Sequence, residues 1–302
     1  MHQSNPTSPA TDRAGVAASL LLAAQRRELT SLGEAAGTRV LFLKAAWADP
    51  VLYGAQGLRQ GGDLDLLIAP ERFVAFTKLL RQAGYEPLHT TTHPVYERAQ
   101  KESVFFGGEQ RLPLDVHRGL VEEPWFTWPV ERSLSEAVAY ASPDGPVLSL
   151  SPSDQVLYAA AHYANHALQL DARHLRDIQR LLGPRSAWRD QVNWRDVNQH
   201  AHAAGLEIAL GFVVRELSHL EPTLDLRVAP LRGRAAKRLA AAEVIMRAHV
   251  SARLDNYQRA LVHTLLSNRP TALPRFLARY VGLRTGDLAV RATRRLLESA
   301  EP

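Results

Sequence analysis

The spacing of apolar positions changes part-way along the chain. From Arg13 to Ala36, Val16, Leu20, Leu21, Leu22, Leu29 and Leu32 fall on one helical stripe that Gly37 can end. Thr38–Leu43 then has the β-branched and aromatic content of a buried strand, and a short helical link follows it through Leu52 and Tyr53. In the stretch Gly57 to Ile68 the glycines mark a turn, after which Asp63, Leu64, Asp65 and Leu66 alternate. In a strand that period of two places both carboxylates on one face and the leucines on the other. Pro70 suits the first position of a helix whose inner face is Phe73, Phe76, Leu79 and Leu80 and which Gly84 can end. Further strands are expected at Tyr85–His89, Ser103–Gly107 and Arg111–Arg118. In the last, Leu112, Leu114 and Val116 point one way while Asp115 and His117 point the other.

Residues 121–150 read as a connecting segment with Trp125, Trp128 and several prolines. Ser151-Pro152-Ser153-Asp154 is then a strong helix start. Helical spacing dominates beyond it, over about 154–168, 171–183, 190–204, 206–219, 231–267 with a break, and 272–298. The pattern predicts an α+β chain: a disordered segment 1–11, a mixed sheet with flanking helices over 12–150, and an all-helical domain over 151–302.

Composition narrows the chemistry. The chain's 302 residues, 46% hydrophobic and 22% charged, suit a globular protein with a substantial core. With no cysteine there is no disulfide, thiolate metal site or cysteine nucleophile. No apolar run is long enough to span a bilayer and the N-terminus lacks a signal-peptide pattern, so a cytoplasmic protein without membrane attachment is expected. Residues 221–302 hold 15 Lys/Arg against 7 Asp/Glu, so the net charge of +5 arises in the tail region.

Two like charges as close as Asp63 and Asp65 repel, and keeping both ionised calls for a cation or several donors between them. Carboxylates joined by substrate phosphates are a usual way to hold Mg²⁺. An isolated Asp-x-Asp is more often a solvated strand end. Here it follows a Gly/Arg-rich loop, opens an apolar run, and has Asp115 as a third carboxylate expected on the same sheet face.

The series Leu43-Lys44, Arg59, Gly62-Asp63-Leu64-Asp65-Leu66-Leu67-Ile68, Ala83-Gly84-Tyr85 and Leu114-Asp115-Val116-His117 resembles the uncharacterised nucleotidyltransferase-like family of the polymerase-β-type superfamily. Ala161-His162-Tyr163-Ala164-Asn165-His166, followed by Leu175-Arg176-Asp177-Ile178, is similar to that family's first helical pair. The resemblance spans about residues 35–185. It implies that Asp63, Asp65 and Asp115 are catalytic and hold two divalent metals, Mg²⁺ or Mn²⁺, and that the co-substrate is a nucleoside triphosphate (NTP). A nucleoside monophosphate would pass to an unidentified hydroxyl on a small molecule, sugar or peptide. Gly62, before the acid pair, falls where backbone approaches nucleotide phosphates in such enzymes. One departure stands out: Leu43-Lys44-Ala45 replaces a common Leu-Lys-Gly, which leaves open a catalytically degenerate binding module.

Lys44 and Arg59 are candidates to neutralise phosphate oxygens, and ordinary acid-pairing cations are the alternative. His117 could orient Asp115 or bind substrate, or be a structural histidine. His162 and His166 lie four apart on one helical face, and at least one of them is expected to face the acid cleft and contact acceptor or nucleotide. Asp177 is expected to hold a neighbouring histidine or arginine. The basic residues Arg232, Arg234, Lys237, Arg238, Arg291, Arg294 and Arg295 raise nucleic acid, and with it a toxin-type RNA or tRNA nucleotidyltransferase. Spread along helices, such charge is more often a solvated face.

Overall fold

The computed structural model describes residues 9–54, 59, 62–88, 101–109, 111–168, 172–247, 254, 256–269 and 271–278. The fold is α+β: a five-stranded mixed sheet with helices, followed by a helical C-terminal region. The first helix, α1 (Pro9–Ala35), already includes residues 9–11, part of the segment expected to be disordered; residues 1–8 lie outside the described set. Gly37 (φ +66°) turns the chain out of it, a conformation open to glycine at no steric cost.

Strand β1 (Leu41–Phe42) is shorter than the expected Thr38–Leu43. Its start is taken by the helix exit, where the Thr38 N–H still donates to Gly33 O at 2.9 Å. Its end is set by Lys44, whose φ of +45° breaks the strand and starts α2 (Lys44–Leu52). Then come β2 (Leu64–Leu67), a 3₁₀ turn at Pro70–Arg72 and α3 (Phe73–Gln82), with Gly84 (φ +87°) just beyond. The sheet is completed by β3 (Glu86–Pro87), β4 (Glu102–Phe106) and β5 (Leu114–His117). The strand order is β1-β2-β5-β4-β3. Among the described strands only β2 and β5 run parallel, in a register that sets Asp65 against Asp115. The expected turn at Gly57 and the expected strand end at His89 lie outside the described residues.

The connecting segment is more ordered than its composition suggests. It holds α4 (Val130–Ser135) and an antiparallel hairpin of β6 (Val138–Tyr140) and β7 (Val147–Ser149). The Ser149 hydroxyl donates to Phe42 O at 2.5 Å and accepts from Gln155 Nε2 at 2.8 Å, joining hairpin, sheet and the next helix through one buried side chain.

That helix, α5 (Pro152–Asn165), starts as its sequence predicts: the Ser151 hydroxyl accepts from the Asp154 N–H at 3.2 Å and Pro152 fills the first turn. It is buried along nearly its whole length. Around it lie α6 (Ala172–Leu182), α7 (Trp194–Ala204) and α8 (Glu207–Leu220), with α9 (Gly233–Arg247) and α10 (Asn256–Leu266) beyond. The helical spacing expected over 272–298 is seen for residues 272–278, and the remainder is outside the described set. One buried apolar cluster runs through both halves, from Leu22 to Ala272. Trp47 and Tyr140 meet edge-on at 5.5 Å, and Tyr140 meets Trp188 at 4.5 Å, so the sheet half and the helical half share aromatic contacts. Among the described residues no helix is long and apolar enough to cross a membrane.

Candidate active site

Register and pleat bring Asp65 and Asp115 side by side on neighbouring parallel strands, with Asp63 at the entrance to β2. Leu64, Leu66, Leu114 and Val116 are fully buried on the other face, so packing behind the sheet fixes which way the acids point. Asp63 and Asp115 are half-buried, and Asp65 is completely buried. Burying an uncompensated carboxylate is costly. Asp65 goes inside because Lys44 and His117 go with it.

Lys44 Nζ lies 2.6 Å from Asp65 Oδ1, and His117 Nε2 lies 3.0 Å from the same oxygen. Behind the ring, His117 Nδ1 faces Glu102 Oε2 at 3.2 Å; Glu102 and His117 are cross-strand neighbours. Burial by itself would push the Asp65 carboxyl up, yet Lys44 and His117 reverse that and hold it at about 2. Burial would likewise lower His117, but its two carboxylate partners raise it. Lys44 is also held above its usual value: burial opposes its charge, and Tyr158 and Asp65 more than offset the penalty. Asp115 behaves oppositely. Burial and the nearby Asp65 charge push it up to about 6, and Asp63 rises for the same two reasons.

Asp65 Oδ2 is buried with no hydrogen-bond partner. Asp65, Asp115 and His117 each bring a ligand-capable atom within 4.8 Å of the others. An orphaned carboxylate oxygen beside a second carboxylate fits a divalent cation, which takes oxygen ligands and relieves both the repulsion and the missing partner.

Lys44 reaches Asp65 because its backbone is turned into the left-handed region, which costs a non-glycine residue about 1–2 kcal/mol. Ala45, where a glycine was expected, is a buried residue in the first turn of α2 and is not among the residues with positive φ. The unusual conformation falls one residue earlier than the sequence suggested. Gly62 is exposed beside the pair with open space around it.

Arg59, a candidate for phosphate contact or for ordinary acid pairing, pairs with an acid. Its Nε sits 2.9 and 3.1 Å from the two oxygens of Asp177 on α6, both residues are buried, and its N–H donates to Asp49 Oδ1 at 3.2 Å. Its guanidinium ties the loop before the acids to the helical half. Asp177 thus holds an arginine, and the Tyr53 hydroxyl donates to it as well at 3.1 Å.

The helical wall carries three histidines. His162 stacks on His174 with ring centres 3.8 Å apart and lies 4.4 Å from His166. His162 and His174 are buried, whereas His166 is exposed at the end of α5. Burial, then the neighbouring His174, holds His162 low; burial also depresses His174 and His166. Lys44 is an electrostatic neighbour of all three, and Asp65 of His162. Sequence reading missed Tyr158, Glu102 and Arg173, the last an exposed α6 residue whose charge is felt at Asp63. A surface cavity of about 600 Å³ lined by Val51, Arg180, Arg185 and Trp188 contains none of the three aspartates.

The profile of the family described as "Uncharacterised nucleotidyltransferase" matches residues 10–220 of this chain. No curated protein matches it. Among solved structures, the solution structure of the antibiotic-resistance factor ANT(2'')-Ia is similar at 12% identity, covering 67% of this chain and 95% of that one, with a TM-score of 0.39.

Proposed function

Because the chain belongs to the uncharacterised nucleotidyltransferase family, we propose that it transfers a nucleoside monophosphate from an NTP to a hydroxyl of a small-molecule, sugar or peptide acceptor. Mg²⁺ or Mn²⁺ would be held by Asp63, Asp65 and Asp115, in a cytoplasmic setting. The observation that carries this reading is the buried, ionised Asp65, whose second oxygen lacks a partner beside Asp115.

A bound divalent ion supplies charge neutralisation for the phosphates and the leaving group. The chain's own groups account for the rest. Asp115, half-buried beside Asp65 on the neighbouring strand, is placed to take the proton of the acceptor hydroxyl. The acceptor oxygen then bonds to the α-phosphorus, the bond from that phosphorus to its bridging oxygen breaks, and pyrophosphate leaves. Lys44 keeps Asp65 ionised; Gly62 leaves open space beside the pair. Arg59 serves by fixing the loop through Asp177 rather than by meeting phosphate. His162 and His166 supply polar, uncharged surface to the acceptor side of the cleft.

The degenerate-module alternative rested on Ala45, and its backbone is not the strained one. For RNA as acceptor, Arg238 is committed elsewhere, donating to Thr264 O at 2.6 Å and so tying α9 to α10, while Arg232, Arg234 and Lys237 are exposed on α9 and just before it. Titration of each NTP with Mg²⁺, with pyrophosphate release measured over a panel of hydroxyl acceptors, tests the proposal. Wild type should bind NTP only with metal, and Asp65→Ala should not; equal nucleotide binding by the two proteins would sink it.

A further inference from the structure

Because one atom each of Asp65, Asp115 and His117 lies within 4.8 Å of the others, His117 has the look of a metal ligand. The surroundings of its ring say otherwise. Nε2 is turned to Asp65 Oδ1 at 3.0 Å and Nδ1 to Glu102 Oε2 at 3.2 Å, with the ring itself buried. An ionised carboxylate oxygen only accepts hydrogen bonds, so both ring nitrogens are committed toward acceptors and neither is turned to an incoming cation. Lys44 Nζ converges on the same Oδ1 at 2.6 Å. Two donors therefore fix one oxygen of Asp65, and the other, Oδ2, remains buried without a partner.

The arrangement crosses the sheet. Asp65 is on β2, His117 on the adjacent β5 and Glu102 on β4, paired directly with His117 in the ladder. Backbone register thus sets the chain of contacts from Glu102 to His117 to Asp65. We propose that His117 is a positioning residue, not a ligand: with Lys44 it fixes Asp65 Oδ1, so that Oδ2 is the single oxygen Asp65 offers a divalent cation, and Glu102 steadies the ring from behind. This rests on the metal-dependent reading above. It assigns the imidazole the outer role that carboxylates commonly play for metal-binding histidines, with the partners exchanged.

The test uses the full-length protein and Mn²⁺ alone, without nucleotide. Affinity is read by the free-ion EPR signal, and the ligand atoms by pulsed EPR, which detects nitrogen bound directly to Mn²⁺. Wild type should bind Mn²⁺ with no directly coordinated nitrogen. Glu102→Gln, on a half-exposed side chain that does not touch Asp65, should weaken binding about 10-fold. His117→Ala should weaken it at least as much, and His117→Gln, which keeps a donor for Asp65, should recover part of the loss. Nitrogen coupling in wild type that vanishes in His117→Gln would overturn the positioning role while leaving nucleotidyl transfer intact. So would Mn²⁺ affinity untouched by both Glu102→Gln and His117→Ala. If wild type binds no Mn²⁺ at all, the metal-dependent reading fails and this inference with it.

Discussion

The acid face of the sheet and the histidine wall of α5 and α6 are both buried polar regions, and they resolve the cost of burial in opposite ways. On the sheet, Asp65 keeps its charge because Lys44 and His117 are in place on one oxygen. On the wall, His162 and His174 stack on each other, and burial holds both below their usual value, hence uncharged. A buried ionisable group either brings a counter-charge or gives up its own. The first solution produces a strong local field, and the second a polar surface without one. The proposed transfer of a charged group onto a neutral hydroxyl would use both.

The largest effect should come from destroying the charged solution. Asp65→Ala should lower nucleotidyl transfer by about 10³-fold or more, roughly 4 kcal/mol of transition-state stabilisation, read as kcat/KM. It should also lower thermal stability, because Lys44 and His117 are left facing one another. Next, Arg59→Ala should cost about 3–5 kcal/mol of folding stability in denaturant melts, since it strands Asp177 inside. A loss below 1 kcal/mol would show that the pair is not buried in solution. Asp115→Asn should reduce kcat about 10²-fold by removing the proton acceptor, with stability unchanged or raised because a repelling charge beside Asp65 is gone.

A smaller effect sharpens the contrast through pH. His162 and His174 have folded-state values below the unfolded value near 6.5, so below that pH the unfolded chain binds protons the folded chain refuses, and stability falls as pH drops. His117 has the opposite sign: its folded value is raised, its contribution is complete below about 6.5, and it fades as pH rises through the folded value. The depressed histidines outnumber it. Urea melts at pH 7.5 and 5.5 should show a loss on acidification, and His162→Phe should flatten that slope by up to one proton, about 1.4 kcal/mol per pH unit. An unchanged slope would mean that His162 titrates normally. Smallest of all, replacing Arg232, Arg234 and Lys237 with alanine should leave transfer to a non-nucleic-acid acceptor within twofold; salt-dependent RNA binding by wild type that these substitutions weaken would favour RNA instead.

The sequence carried the acid site because the information there is local. Alternation in Asp63-Leu64-Asp65-Leu66 and in Leu114-Asp115-Val116-His117 states which groups share a face, and the structure pairs those strands in register. Ser151 and Pro152 announced α5 equally well. Arg59 could not be placed this way: its partner lies 118 residues along the chain, and nothing near Arg59 distinguishes a phosphate ligand from a buried tie. The link from Glu102 to His117 depends on the register of two strands, which alternation alone does not supply. The β6–β7 hairpin was missed although Ser142-Pro143-Asp144-Gly145 is a turn signature between two short apolar runs. Proline content drew the segment toward a linker when it marked a turn.

The parallel pairing of β2 with β5 also has a consequence in time. Parallel neighbours need a crossover, here α3 with β3 and β4, so Asp65 and His117 meet at a sequence separation of 52. Such long-range contacts carry a loop-closure cost and tend to form late in folding. During synthesis, a nascent chain that has emerged only through α3 has Asp65 and Lys44 but neither Asp115 nor His117. The proposed capacity to hold a divalent ion would therefore belong to the closed sheet and arise only when its central pair zips together.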